Sequence, residues 1–331
     1  MTDTTKLAEL EKESRIGDYG TETHRDIPLI DLSDFFARKA EITDALWQAA
    51  TDIGFFQLTG HGIPQALIDE AFAISAAFFD LPAETKEALP LKPGTNAGWE
   101  YLAQVRPSTG TPDHKESFQI TLPRMADLWP SEDDLAGFRA TMLAFERMNW
   151  AVAMKVLSCF ADKLGFAPDL FVKGHDPQSP DYQSTLRLIH YLGMEEAKAE
   201  DFRLWRAGAH TDFDCLTLLH QKDGQGGLQL CPGKDSKGRA LAWTDVPPTG
   251  GVITCNIGDM LMRWSDDKLL SNLHRVRMPK PDEYLGPRYS IAFFAQANRD
   301  TLLEGPDGKY DPMTGHDYIQ MRLGANYGTK G

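Results

Sequence analysis

Gly208-Ala209-His210-Thr211-Asp212-Phe213-Asp214-Cys215-Leu216-Thr217-Leu218-Leu219-His220 is the stretch on which the fold turns. From Cys215 onward it reads as a half-buried strand. An imidazole and a carboxylate stand at the mouth of that strand. His-x-carboxylate occurs three times in the chain, as His24-Arg25-Asp26, His114-Lys115-Glu116 and His210-Thr211-Asp212. Spacing alone does not choose among them, because such a pair is more often a surface pair than a ligand pair. Context does. His24 lies in a polar stretch before Pro28, and His114 follows the turn-rich Ser108-Thr109-Gly110-Thr111-Pro112-Asp113. Only His210 and Asp212 sit against an apolar scaffold, and a metal site must be held to fractions of an ångström.

Downstream and upstream of this stretch, short apolar runs alternate with turns. Strands are expected at Leu186–Tyr191, Leu216–His220, Leu228–Leu230, Ala242–Val246, Val252–Asn256, Leu261–Trp264, Asn272–Met278 and Tyr289–Ala295. Gly224 to Gly227, Pro247 to Gly251 and Gly258-Asp259 punctuate them. Many short strands at regular spacing indicate a sandwich or barrel, and eight suit a jelly roll. The earlier half reads differently. Strands are expected at Ile27–Leu32 and Gly54–Thr59, and helices over Glu41–Ile53, from Pro64 to Phe79 and over Ser131–Leu164. The apolar stripe of the last (Phe138, Met142, Phe145, Trp150, Met154, Leu157) marks it as core. Lys86 to Pro112 is rich in Gly, Pro, Thr and Asn, and is expected to be a long loop carrying Trp99 and Tyr101; such loops often form lids or binding walls. The expectation is a flexible arm over residues 1–25 and a single catalytic domain over 26–331. That domain divides into a helical part (about 26–180), a jelly-roll core (about 181–300) and an extension (301–331). Its class is mainly β with flanking α: a double-stranded β-helix wrapped by amino-terminal helices.

Composition narrows the function classes. The chain has 331 residues, 42% hydrophobic, enough for a substantial core. A formal net charge of −14 argues against a nucleic-acid partner, which requires a basic surface. No apolar run reaches membrane-spanning length and no secretory signal is evident. Cys159, Cys215, Cys231 and Cys255 are scattered, without the spacing of a zinc site or disulfide framework. A cytoplasmic location and a small-molecule partner are expected; no motif encodes an oligomeric state.

Alternate residues of a strand share a face. His274 therefore shares its face with Asn272, Val276 and Met278. Arg288, Ser290, Ala292 and Phe294 share another. A core histidine satisfied by a backbone carbonyl is the bland alternative for His274, and it loses weight beside His210 and Asp212. Two imidazoles and one carboxylate on one face match the ligand set of a non-haem iron oxygenase. A buried arginine is costly unless it meets an anion, and the Arg288 fork with the Ser290 hydroxyl suits a carboxylate. A structural salt bridge is the competing reading. Asp214 competes with Asp212 as ligand, and Arg187 stands between reading a substrate group and making a surface ion pair.

The chain resembles the iron(II)/2-oxoglutarate-dependent dioxygenases of the isopenicillin N synthase-like superfamily. The resemblance rests on Ile27-Pro-Leu-Ile-Asp-Leu32, Gly54-Phe-Phe-Gln-Leu-Thr-Gly-His-Gly-Ile63, His210-Thr-Asp212, Gly226-Gly-Leu-Gln-Leu230, Asn256-Ile-Gly-Asp-Met-Leu261, Leu273-His-Arg-Val276 and Arg288-Tyr-Ser290. It covers residues 27 to about 300. It implies Fe(II) held by His210, Asp212 and His274, and 2-oxoglutarate held through Arg288, Ser290 and Tyr191. It also implies consumption of O2, with succinate and CO2 as products of a hydroxylation or desaturation. The family's usual proline after the tyrosine is Leu192 here, and an asparagine two positions before it is Ile189. Arg187, Phe294, Trp99 and Tyr101 are the candidate substrate residues. Two alternatives stay open: an iron oxidase that dispenses with 2-oxoglutarate, and a jelly-roll binding protein without catalysis.

Overall fold

The computed structural model describes residues 21–105, 111–193, 205–231, 241–280 and 282–326. The amino-terminal part supplies strands β1 (Thr21–Thr23), β2 (Leu29–Asp31), β3 (Phe55–Thr59), β4 (Gly98–Tyr101) and β5 (Lys115–Ile120). It also supplies helices α1 (Phe35–Asp52), α2 (Gln65–Phe79), α3 (Ala83–Glu87), α4 (Phe138–Leu164) and α5 (Leu170–Gly174). The remainder is mostly strand: β6 (Thr185–Tyr191), β7 (Ala207–His210), β8 (Leu216–Gln221), β9 (Leu228–Cys231), β10 (Ala242–Asp245), β11 (Ile253–Ile257), β12 (Leu273–Val276) and β13 (Arg288–Ala295). Short helix α6 (Asp259–Trp264) interrupts it, and β14 (Leu302–Leu303), β15 (Met313–Thr314) and α7 (Gly315–Asn326) follow.

Two sheets face each other, in the orders β1-β10-β9-β12-β7 and β2-β3-β11-β8-β13-β6-β5-β4. The outer face of the larger sheet is closed by α4, which packs on β8 and β13 and is itself flanked by α1 and α2. Phe138, Met142, Phe145, Asn149, Val152 and Val156 recur at three- and four-residue steps along α4, so one stripe is buried throughout. Gly165, with φ +74°, ends the helix in the left-handed conformation that glycine adopts without strain. Between the sheets lies a smaller apolar cluster with members from both: Ile189, Tyr191 and Ala292 from one, Ala207, Leu228, Leu230 and Val276 from the other. The jelly-roll expectation holds, and the space between its sheets is where the site is found. No helix among the described residues is long and apolar enough to cross a membrane.

Several local expectations are corrected. Leu261–Trp264 is helical, as part of α6. The run Met260-Leu261-Met262 is buried on every side and carries no alternation, so strand and helix look alike in sequence. The expected loop from Lys86 to Pro112 contains part of α3 and the strand β4, which pairs with β5; residues 106–110 lie outside the described residues. β5 has no strand signature in sequence because its polar string Lys115-Glu116-Ser117-Phe118-Gln119-Ile120 is wholly buried, its polar side chains pairing with residues of other segments such as Asp113, Lys86, Glu100 and Arg187. Residues 21–23 of the expected arm pair in parallel with β10; residues 1–20 lie outside the described residues. The carboxy-terminal extension carries α7, which returns to the site.

Candidate active site

β7 and β12 run antiparallel with His210 and His274 as direct partners. Their rings lie 4.3 Å apart between centroids, and Asp212 follows from the turn after β7. Asp212 Oδ1 stands 3.8 Å from His210 Nε2 and 3.6 Å from His274 Nε2. Those separations are too long for hydrogen bonds and fit three atoms turned toward one cation. One ligand atom from each of the three residues lies within 4.8 Å of the others.

The atoms facing away from that point are already occupied. His210 Nδ1 lies 2.7 Å from the Gly208 carbonyl and His274 Nδ1 3.4 Å from that of Asn272, which turns both Nε2 atoms toward Asp212 Oδ1. Asp212 Oδ2 accepts from Thr217 Oγ1 at 2.6 Å and Asn256 Nδ2 at 2.8 Å, leaving Oδ1 for a metal. The donor set fits an iron(II) ion with open positions. Asp214, the competing carboxylate, points elsewhere. It is fully buried, Thr217 lies 2.9 Å from its Oδ2, and burial together with the Asp212 charge pushes its pKa well above the usual range. The other two His-x-carboxylate pairs are not brought here. His24 and Asp26 are exposed. Glu116 belongs to a separate cluster with Lys86, Trp99 and His190. Burial raises its pKa, but the hydrogen bonds from His190, Trp99 and Lys86 outweigh that and hold it below the ordinary value.

A cavity of about 460 Å³ runs from this cluster between the sheets. Its lining includes His210, Asp212, His274, Tyr191, Arg288, Arg187 and Phe294. Arg288 is 1% exposed, and no carboxylate among the described residues pairs with it. Its Nε donates to the Gln225 carbonyl at 3.0 Å and its Nη2 to Gln221 Oε1 at 2.9 Å, while Nη1 lies 3.4 Å from Ser290 Oγ. The guanidinium stacks 4.7 Å from the Tyr191 ring. Burial lowers its pKa, and the same is true of neighbouring Arg206, which burial and then the Arg288 charge bring to about 10. A buried cation held by neutral acceptors at a cavity wall is suited to an anion. Ser290 is fully buried beneath it and does not itself line the cavity.

Leu192, standing where the family has proline, uses its backbone N–H to bond the His114 carbonyl at 3.2 Å. Ile189 is buried in the apolar cluster and offers no donor. Arg187 and Phe294 do reach the cavity, with the guanidinium 5.2 Å from the Phe294 ring. Trp99 and Tyr101 do not. They stack on each other on the opposite face of β4, where Trp99 Nε1 donates to Glu116 at 2.8 Å and Tyr101 is half exposed. Alternation along β4 instead turns Glu100 inward.

Sequence reasoning missed the supporting groups. Thr217 and Asn256 are polar residues inside apolar strands, a visible signal that something buried needs them. Asp259 lies in the quoted motif Asn256-Ile-Gly-Asp-Met-Leu261, whereas Arg322 has no local signal. Asp259 opens α6, accepts from Thr211 Oγ1 at 2.8 Å and from Ser271, and meets Arg322 of α7 at 2.6 Å. Arg322 also stacks 4.6 Å from Phe213, so α7 is tied to the residues flanking Asp212.

A jelly roll with a His-Asp-His cluster and a buried arginine on one cavity fits a non-haem iron oxygenase with an acidic co-substrate. Comparison with known proteins agrees. Residues 27–134 match the family described as non-haem dioxygenase in morphine synthesis N-terminal, and residues 182–297 match the 2OG-Fe(II) oxygenase superfamily. The chain belongs to the 2OG-Fe(II) oxygenase superfamily. It is 32% identical to the 2-oxoglutarate-Fe(II) type oxidoreductase hxnY of Emericella nidulans, over 91% of this chain and 90% of that protein. It is also 32% identical to the proline hydroxylase buaE of Petromyces alliaceus, over 91% of this chain and all of that one. The crystal structure of a full-length Neurospora crassa protein in complex with alpha-KG superposes with a TM-score of 0.78 at 31% identity, covering 90% of this chain and 95% of that one. The same Neurospora crassa protein has been solved with alpha-KG and thymine (TM-score 0.77). The protein is an Fe(II)- and 2-oxoglutarate-dependent oxygenase that uses O2.

Proposed function

We propose that this oxygenase oxidises a C–H bond of a small polar molecule bound between Arg187, Phe294 and the iron ligands, with His210, Asp212 and His274 holding Fe(II). Arg288 takes the distal carboxylate of 2-oxoglutarate, Ser290 backs its Nη1 from beneath, and Tyr191 packs against the guanidinium. The observation that carries the reading is the buried Arg288, which opens on the cavity without a carboxylate partner among the described residues. Bound iron and 2-oxoglutarate supply oxidation by O2, with succinate and CO2 as co-products. The chain's own residues do the positioning. The Gly208 and Asn272 carbonyls orient the imidazoles, Thr217 and Asn256 orient the Asp212 carboxylate, and the sheets keep bulk water from the reacting centre. Such positioning selects which C–H is exposed to the oxidant.

Strands β2 and β3 share a sheet with β8, β11 and β13, which supports one catalytic unit from residue 26 onward. The four cysteines are buried thiols outside any disulfide, which supports a reducing compartment such as the cytoplasm. The relatives' names include an amino-acid hydroxylase, and a structural neighbour binds thymine. Both are small polar substrates, as the cavity volume suits. The test is succinate release in air with iron and 2-oxoglutarate supplied. Iron binding without any 2-oxoglutarate consumption would instead favour the sister oxidase that uses iron and O2 alone.

A further inference from the structure

The cavity wall also carries a charged group that the proposed reaction does not use. Glu100 faces inward from β4, and three neutral donors converge on one of its oxygens. Gln104 Nε2 lies at 2.7 Å, Ser117 Oγ at 2.8 Å and Gln119 Nε2 at 3.1 Å, all from Oε1. Oε2 has no partner among the described residues, and Glu100 lines the cavity. The carboxylate is thus locked through one oxygen and presents the other.

Gln119 faces two ways. Its Oε1 accepts from Arg187 Nη2 at 2.7 Å while its Nε2 donates to Glu100. The order of the strands produces this arrangement: Gln119 is the direct partner of Arg187 across β5 and β6, and Ser117 is the partner of Glu100 across β4 and β5. Arg187 has no carboxylate partner among the described residues, and its buried Nε makes no hydrogen bond. One amide therefore separates a cationic donor from an anionic acceptor, and both open on the same cavity. If the two were meant to neutralise each other they would pair directly, as Lys115 does with Asp113 nearby at 3.0 Å. The intervening glutamine keeps them apart.

We propose that Glu100 determines specificity by requiring an N–H donor on the substrate, next to a carboxylate or carbonyl that Arg187 reads. The substrate class is a small nitrogen compound in which N–H and C=O or CO₂⁻ are neighbours, as in a secondary amino acid or a cyclic amide. This rests on the assignment of the cavity as the substrate site. A hydrogen bond to a charged group is strong enough that an analogue lacking the N–H should bind roughly tenfold or more worse. Sites built to bond a polar group discriminate against its absence far more strongly than apolar pockets discriminate by size.

The experiment uses the iron-loaded holoenzyme with 2-oxoglutarate and measures substrate-stimulated succinate release for matched probes. One pair is proline and tetrahydrofuran-2-carboxylate; the other is thymine and 1,3-dimethylthymine. At least one N–H member is expected to stimulate succinate release with kcat/KM about tenfold or more above its N–H-free partner, and the successful pair tells amino acid from cyclic amide. Glu100→Gln, which keeps the shape and swaps half of the acceptor for a donor, is expected to bring that ratio within about threefold. A ratio is unaffected by partial loss of folded enzyme. Equal turnover of both members, stimulation by no N–H member, or an undiminished ratio in the Glu100→Gln enzyme overturns the proposal. If 2-oxoglutarate is consumed slowly without substrate and the pairs still fail, this inference alone is wrong. If no 2-oxoglutarate is consumed at all, the oxygenase reading fails with it.

Discussion

Arg322 of α7 meets Asp259 of α6 at 2.6 Å, and neither side chain is exposed to solvent. Asp259 also accepts from Thr211, the residue between His210 and Asp212. The last helix of the chain is therefore wired to the metal-binding turn through two side chains. Removing one member of a buried ion pair leaves an uncompensated charge, which costs more than the pair ever contributed.

Arg322→Met is accordingly expected to destabilise the protein by about 3–5 kcal/mol in urea unfolding. Adding Asp259→Asn should recover part of that loss, because it removes the stranded charge. A single-variant loss below about 1 kcal/mol, or a double variant worse than the sum of its parts, contradicts this account.

The iron site separates ligands from supports. His210→Ala and His274→Ala should each remove Fe(II) binding almost entirely, while Thr217→Val and Asn256→Ala should weaken it about 10- to 100-fold. His24→Ala, on the exposed pair, should leave it unchanged. Titration of the anaerobic protein with Fe(II) ranks the five variants, and any other order rejects the assignment.

Arg288→Ala should weaken 2-oxoglutarate by about a hundredfold, the scale of a lost charge-assisted hydrogen-bond pair, with Fe(II) affinity changed much less. Arg288→Lys should recover only part of that, since a point charge cannot replace the fork. Calorimetric titration of 2-oxoglutarate into the iron-loaded enzyme distinguishes the two.

Stability should fall on mild acidification. Burial pushes the His175 pKa down to about 4 and that of His220 to about 3, with His61 adding to the latter. Unfolding restores both toward the ordinary value of about 6.5, so the unfolded chain binds more protons between about pH 3 and 6.5. Stability is complete above that window and is lost as pH falls through it. Between pH 7.5 and pH 5 each histidine should remove about 2 kcal/mol. His220→Gln should flatten the profile, and an unaltered slope would show that another group controls it.

The clustering of His210, Asp212 and His274 was legible in sequence because a His-x-Asp at the mouth of one strand and a histidine on another are rare residue types beside apolar runs. Alternation along a strand assigned Arg288 and Phe294. It failed for Trp99 and Tyr101 because β4 was hidden in a stretch rich in turn formers, so their facing could not be worked out and Glu100 between them was passed over. β5 was hidden for a related reason. Its glutamate, serine and glutamine are buried by pairing with side chains distant in sequence, and a polar string suggests surface until those partners are known. Leu261–Trp264 shows the opposite case, since a segment buried on all sides loses the periodicity that separates strand from helix. Asp259 and Arg322 lie 63 positions apart, and nothing local in either marks the other.

Strand β13 presents Arg288, Ala292 and Phe294 to the cavity from one continuous ladder, with Ser290 beneath the first. It acts as a ruler: at about 3.3 Å per residue, some 20 Å separate the acid clamp from the aromatic end. A slip of one residue would turn every one of these side chains to the helical face at once. Evolution can therefore exchange Phe294 to suit a new substrate while Arg288 stays in place, but it can lengthen or shorten the distance between them only in steps of two.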